Sequence, residues 1–399
     1  MPWLDNPAWD DAIEASMRIA IGTALAGRAV AHESSEVLHR PGELLCDTAV
    51  WEDLVHPVRQ RLDANGARLL SVAPRDERDE RRAAAAERLG LRLLLADARN
   101  PVGLLTEARM GDPEAEALSV NHVAIASPQR HGGCAPPRQI DASAAIPGVS
   151  TQGGGLRIAV LDTGFVDPAP ARFAIERRGP EDFEVLDAPV PGPYGPAVGH
   201  GTMVAGVIAT HVPAATLVVR RVLDTPVGDA DELEIADALD ALPPVDIVNA
   251  SFGGFAVADD TMLALSAALD RLPAATLVVA SAGNQGVDRP VFMAAFDRVV
   301  GVAAVERQET GPPQLAAYSN RGAWVHLCAE GTDVESTYVT DHAVASGTSF
   351  AAPRVAAAAA LVALRDGIGP REAAQALAAD TAKPSVDRAG RFVDPSDLP

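Results

Sequence analysis

From residue 156 onward, short apolar runs alternate with segments of helical periodicity. The runs Arg157 to Leu161, Thr216 to Leu223, Asp246 to Phe252, Thr276 to Ser281 and Val299 to Val305 are apolar at successive positions. That pattern predicts strands buried on both faces. Helical patterns fall between them at 201–211, 231–242 and 259–272. Alternation of this kind specifies an α/β fold, a doubly wound parallel sheet with helices on both faces, whose ligands bind at the carboxyl ends of the strands. The first 64 residues pattern instead as amphipathic helices, roughly 7–30 and 49–64. Residues 65–128 read as a small α+β domain: strand 67–73, charged helix 75–90, strands 91–98 and 102–108, short helix 112–118 and strand 121–127. The order is βαββαβ, the split βαβ arrangement. Residues 129–155 concentrate Gly and Pro without apolar periodicity, which predicts a linker. The expected organisation is a helical N-terminal extension (1–64), the βαββαβ domain (65–128), the linker (129–155), the sheet domain (156–385) and a C-terminal tail (386–399).

Charge narrows the function. The chain has 399 residues with 54 acidic against 33 basic side chains, a formal charge of −21, so most of its surface repels nucleic acid and anionic lipid. The longest apolar run, Val355 to Leu364, is far short of the roughly 18 to 20 residues that span a bilayer. Neither nucleic acid nor membrane is expected as a partner. Asp5, Asp10, Asp11 and Glu14 precede the short apolar stretch Ile19 to Gly27, where a secretory signal would be basic, so the expected compartment is the cytoplasm. Cys46, Cys134 and Cys328 are odd in number, distant and without a CxxC spacing, which supports neither a disulfide framework nor a zinc site. Lys383 is the only lysine. That usage fits a GC-rich bacterial genome and removes Ser-Lys chemistry unless Lys383 itself is used.

Three short motifs carry chemistry. Asp162 ends a strand in RIAVLDTG, His200 sits in GHGT before a helix, and Ser349 sits in GTSFAAP before another. Each also has an ordinary structural reading: a strand-end turn, a helix cap between glycines, a serine N-cap. A lone DTG could be half an aspartic-protease site, but DTA at Asp47 and DTP at Asp224 do not supply its second half. Together the three outweigh those readings, because a hydroxyl nucleophile needs a general base and that base needs an orienting carboxylate. Asn284 completes the set. It follows a strand directly in TLVVASAGNQG, a placement that suits an amide aimed at a developing oxyanion.

With these residues the chain resembles the subtilisin-like serine peptidases, or subtilases. The matches are DTG at 162–164, GHGTMVAGVIA at 199–209, NASFGG at 249–254, SAGN at 281–284 and GTSFAAP at 347–353, in the family's order Asp, His, Asn, Ser. The resemblance covers about 156–382 and implies a subtilisin-like sheet domain, hydrolysis of peptide bonds through an acyl-enzyme, and no cofactor. It implies Ser349 as nucleophile, His200 as base and then acid, Asp162 as orienting carboxylate, and Asn284 with the Ser349 N–H as oxyanion donors. Ser251, Phe252 and Gly253 resemble the edge that pairs with substrate backbone, and Ser281, Ala282 and Gly283 the floor of the pocket before the scissile bond. His200 and Asn284 exclude the related sedolisins, which use a glutamate base and an aspartate in the oxyanion hole.

The chain also departs from the family. VIATHVPAATLVVRRVL runs straight from helix to strand, where many secreted members insert a calcium loop, so that metal site is expected to be deleted. Asp229, Asp231 and Glu232 fit an acidic helix start better than a cation site. Met293 and Ala294 replace the family's usual Pro-Ala pair, and Cys328-Ala329-Glu330-Gly331 its Ala-Pro-Gly turn. Asp288 and Arg289 read as surface loop charges, with lining of the specificity pocket as the alternative. Secreted subtilases carry a propeptide of βαββαβ order, and SVNHVAIAS (119–127) resembles its last strand. That implies cis inhibition by residues 65–128, with Ser127-Pro128-Gln129 laid along Ser251 to Gly253. The partner is expected to be a peptide or protein substrate in maturation or regulation. Two other readings remain: a catalytically idle peptide-binding or scaffolding homologue, and an esterase of small substrates.

Overall fold

The computed structural model describes residues 30–31, 37–72, 74, 76–96, 101–109, 117–126, 138–140 and 154–398, apart from 168, 170–172, 188–194, 196, 225–227, 258–259 and 340–341. Among these, the larger domain is built on eight parallel strands. Their spatial order is Gly390–Phe392, Val325–Glu330, Val299–Glu306, Leu277–Ser281, Ile247–Ala250, Arg157–Asp162, Thr216–Arg221 and Ile175–Glu176. Successive side chains enter opposite faces. Ile158 and Val160 join the apolar cluster under helices His200–His211 and Thr348–Asp366. Ala159 and Leu161 join the cluster under Glu232–Asp240 and Leu263–Arg271. The chain passes from Arg157–Asp162 to the strand on one side and then to Ile247–Ala250 on the other. Winding reverses between these two strands, so the ligand crevice lies at their carboxyl ends.

The five strands and three helices expected here all form. The boundary at 385 does not hold, since Gly390–Phe392 pairs with Val325–Glu330 and Phe392 and Val393 are buried. A strand of three residues is too short to show a period, which is why 386–399 patterned as a tail.

The smaller domain is a sheet in the spatial order Leu118–Ile125, Leu38–Asp47, Leu91–Leu95 and Arg68–Leu69, all antiparallel. Helices Pro57–Ala64 and Pro101–Arg109 complete a βαββαβ unit, and helix Glu77–Arg88 is inserted between its second and third strands. The order is the one expected, but other residues supply it. Leu38–Asp47, inside the expected helical extension, is a central strand, so a boundary at 65 cuts through one sheet. Its register shifts between His39 and Leu44, around Pro41-Gly42, and that irregularity hides the two-residue period. Residues 102–108 are helical rather than extended. A short apolar run does not separate the two states, and Pro101 at the first helical position suits a helix. Among the described residues of 67–73, only Arg68–Leu69 is strand, followed by the 3-10 turn Leu70–Val72. The expected helix 7–30 up to residue 29, most of 112–118 and most of the linker, with 127–129, lie outside the described residues. Within the linker, Arg138–Ile140 pairs with His342–Ala345.

The two domains share a sheet edge. Asp229–Asp231 of the larger domain pairs antiparallel with Leu118–Ile125 of the smaller one, and ion pairs close the seam beside it. Arg40 Nε and Arg82 Nη2 each lie 2.8 Å from Asp231 Oδ2, and Arg82 also grips Glu43 at 2.9 and 2.6 Å.

Candidate active site

Asp162 ends its strand fully buried, and His200 opens the helix across the crevice. Before it, Gly199 has φ 79°, and a Cβ there would strike the Tyr338 ring at 2.2 Å. Only glycine brings the chain into the helix so close to that ring. His200 Nδ1 is 2.7 Å from Asp162 Oδ1, and the Thr163 N–H donates to the same oxygen at 2.8 Å. The imidazole packs on Phe350, with centroids 5.5 Å apart. Ser349 is in the first turn of its helix. Its Oγ donates to the Ser251 carbonyl at 3.1 Å, and Ser251 Oγ donates back to the Ser349 carbonyl at 2.9 Å.

Asn284 sits just beyond Leu277–Ser281. Its Oδ1 accepts both the N–H and the hydroxyl of Thr348, each at 2.8 Å. That arrangement fixes which way the amide points. Its Nδ2 is left buried without a protein partner, and a buried donor in that state costs about 1–3 kcal/mol unless something else accepts from it. The chain thus holds a donor in reserve beside Ser349.

A family model described as the subtilase family matches residues 153–393. The chain belongs to the subtilase family. It is 34 % identical to a thermostable alkaline protease of Halalkalibacterium halodurans over 222 residues, 53 % of this chain and 57 % of that one. It is 30 % identical to an intracellular serine protease of Paenibacillus polymyxa over 228 residues, 53 % and 68 % of the two chains. A solved structure of a protease from Pseudoalteromonas arctica superposes with TM-score 0.51 at 25 % identity, covering 62 % of this chain and 89 % of that one. This subtilase spans little more than half the length of the first relative it matches.

The other expected site residues gather around the same crevice. Ser281 ends the strand that leads to Asn284, and Ala282 and Gly283 follow it. The Gly283 N–H donates to Thr348 Oγ1 at 3.0 Å, and the Ala282 carbonyl accepts from Asn320 Nδ2 at 2.9 Å. Ser251, Phe252 and Gly253 continue Ile247–Ala250, and Gly253 exchanges two backbone hydrogen bonds with Ile125 of the smaller domain, 3.0 and 3.4 Å. Asp288 is exposed and pairs with Arg388 at 3.0 Å, whereas Arg289 is half-buried over the Phe255 ring and donates to the Ala256 carbonyl at 3.1 Å. Asp231 is an N-cap with a capping box to Glu234, and the helix His200–His211 runs unbroken. Among the described residues no group of three or more His, Cys, Asp or Glu is placed to hold a metal ion.

Sequence patterning missed three contributors. Thr348 orients Asn284. Asn320 accepts the Gln285 and Val287 N–H groups at 3.0 and 3.1 Å, holding the loop after Asn284. Glu184 turns its carboxyl inward, where it accepts from Thr163 Oγ1 at 3.1 Å and Thr202 Oγ1 at 3.3 Å. It ties the end of the strand that carries Asp162 to the first turn of the helix that carries His200. Burial, with the nearby Asp162 charge, pushes this carboxyl up to about 8. The GTS and GHGT motifs draw attention to Thr348 and Thr202, but nothing local marks Asn320 or Glu184.

Proposed function

We propose that this subtilase is a serine endopeptidase in which Ser349 is the nucleophile, His200 the base and then the acid, and Asp162 the carboxylate that orients His200. Asn284 and the Ser349 N–H form the oxyanion site. The observation that carries this reading is the 2.7 Å pairing of His200 with Asp162, in the same crevice as a buried Asn284 amide that has no partner. A substrate strand in the register of Ile125 donates its N–H to the Ser251 carbonyl, the acceptor that Ser349 Oγ now uses. The hydroxyl then turns to His200 Nε2. Oγ attacks the peptide carbonyl as its proton passes to Nε2, Asp162 stabilises the imidazolium, and the oxyanion meets Asn284 Nδ2 and the Ser349 N–H. Collapse breaks the C–N bond, with the His200 proton leaving on the amine. Water, deprotonated by His200, then cleaves the ester and restores Ser349.

The substrate is a peptide or protein rather than a nucleic acid or a lipid surface, as the net charge of −21 favours. The strand-like edge at Ser251 to Gly253 supports extended peptides over small esters. The compartment we propose is intracellular, which the relative named as intracellular supports, and the role is maturation or regulation of specific proteins. No helix among the described residues is long and apolar enough to cross a membrane. A fluorophosphonate probe should label Ser349 and not the Ser349→Ala chain, and a proteome-derived peptide library should be cut only by the former. A wild-type chain that stays unlabelled and inert after a second protease has cut it between 127 and 156 would leave the idle peptide-binding homologue as the answer.

The smaller domain holds the site latent in cis. Its last strand lies in the substrate's place, with the Ile125 N–H on the Gly253 carbonyl at 3.0 Å and the Ala126 N–H on the Gly228 carbonyl at 2.8 Å. Tethering gives such a strand an effective concentration on the order of millimolar. The inhibitory unit is larger than 65–128, because its central strand is Leu38–Asp47. Wild-type protein should cut itself between 127 and 156 while Ser349→Ala stays whole, and added 30–129 fragment should inhibit the cut enzyme. Full activity of an uncut chain would rule latency out.

A further inference from the structure

We propose that the site selects extended peptides carrying alanine or glycine at the second and fourth residues before the scissile bond, with a larger side chain accepted at the third. The proposal rests on the peptidase reading above and adds the substrate class. Its basis is the register of the chain's own strand. Ile125 and Gly253 face each other as a hydrogen-bonded antiparallel pair, and two residues forward on one strand is two residues back on the other. A bound strand therefore sets a residue opposite Ser251, whose carbonyl lies 3.1 Å from Ser349 Oγ. That residue carries the carbonyl under attack. Counting back from it, Ala126 occupies the second place, Ile125 the third and Ala124 the fourth.

Side chains alternate along a strand, and over residues 124–126 the burial alternates with them, although Val123 further back is buried on the Ile125 face. Ala126 and Ala124 are 1 % and 0 % exposed, whereas Ile125 is only partly covered. The second place is closed by Gly228 and Ala197. A Cβ added to Gly228 would come 2.7 Å from the Ala126 Cβ and 2.8 Å from the Ala197 Cβ, and Ala197 also receives the His200 N–H. The wall is thus continuous with the helix start that carries the base. At the fourth place, Ala124 belongs to the same buried apolar cluster as Ala126, which takes in Phe252, Met262 and Phe292 of the larger domain and Leu45 and Leu93 of the smaller one. Interiors packed to this density do not admit three more carbons without displacing backbone or side chains. Leucine at either place should lower kcat/KM about tenfold or more relative to alanine.

Hydrogen exchange in the full Ser349→Ala chain tests the two subsites without any turnover. Ala126→Leu and Ala124→Leu should speed exchange at the Ile125 and Ala126 amides at least about tenfold, as a strand unseated from its partners opens locally. Ile125→Gln should leave both amides slow. Unchanged protection at Ile158 to Leu161 distinguishes unseating from unfolding. Leucine variants as slow as the parent overturn the proposal. Cut sites made by the wild-type chain in a peptide library should be rich in Ala or Gly at the second and fourth places, and Leu or Phe there as often as Ala also overturns it. A wild-type chain that cuts nothing defeats the peptidase reading instead, and the exchange comparison still decides the size of the subsites.

Discussion

Arg82 Nη2 lies 2.8 Å from Asp231 Oδ2, and these two side chains, from different domains, are both shut away from water. Arg82 also holds Glu43 with both terminal nitrogens, and Arg40 shares Asp231 from the other side. Burial alone would raise the Asp231 carboxyl, but the two guanidinium groups override it and hold it well below the usual carboxylate range.

Breaking this contact from either side should be costly, because the remaining charge stays buried and unpaired. Arg82→Ala or Asp231→Asn, each in a Ser349→Ala chain, should lose about 3–5 kcal/mol by urea unfolding. The double variant should lose less than the sum of the two. The folded-state pKa of Asp231 is depressed, so its contribution is present above the ordinary value of 3.8 and is lost as pH falls through the folded value. Single losses below 1 kcal/mol would show that the seam relaxes and admits water.

Glu184 should shape stability in the opposite direction. Its carboxyl is raised from 4.5 to about 8, so the folded chain holds this proton more tightly than the unfolded one. The stabilisation is full below the unfolded value and is lost as pH rises through the folded value. Buried Glu232, also raised to about 8, acts in the same window. Glu184→Gln should therefore flatten the fall in melting temperature between pH 4.5 and 8 in a Ser349→Ala background. An unchanged slope would place the Glu184 carboxyl in water.

Members of a triad act as a unit. Ser349→Ala and His200→Ala should each lower kcat by roughly 10⁶, and the double change little further. Additive losses, read by steady-state turnover of all the chains after a second protease has cut each between 127 and 156, would mean that the two side chains do not share one proton transfer.

Asn284→Ala should lower kcat about 10²- to 10³-fold with KM nearly unchanged, since Nδ2 serves charge that exists only in the transition state. Thr348→Val removes the hydroxyl that orients the amide but leaves the backbone donor, so its effect should be smaller in the same parameter. A KM effect without a kcat effect would make Asn284 a substrate-binding residue.

The parts legible in the sequence were those enforced locally. Asp162, His200, Asn284 and Ser349 each occupy a strand end or helix start that dictates its neighbours, such as Gly199 against Tyr338. Strands buried on both faces write themselves as continuous apolar runs. The smaller domain was legible only in its order of elements. Its central strand bulges at Pro41-Gly42, the charged helix Glu77–Arg88 took the place of a motif helix, and Pro101–Arg109 has an apolar run that fits two states.

The sequence by itself determined the sheet architecture and singled out the four candidate residues that the fold gathers in one crevice, because their motifs depend on backbone conformation and burial within a few residues of chain. Only the tertiary structure decided that the Thr348 hydroxyl, 64 residues from Asn284, aims the amide, and that Glu184 joins the Asp162 strand end to the His200 helix start. It alone laid the strand that carries Ala124 and Ala126 between Gly253 and Asp229–Asp231 and joined Arg82 to Asp231 across 149 residues. Such pairings are made by a few atoms meeting across the fold, and a hydrogen bond or a steric wall between distant residues leaves no period in either segment.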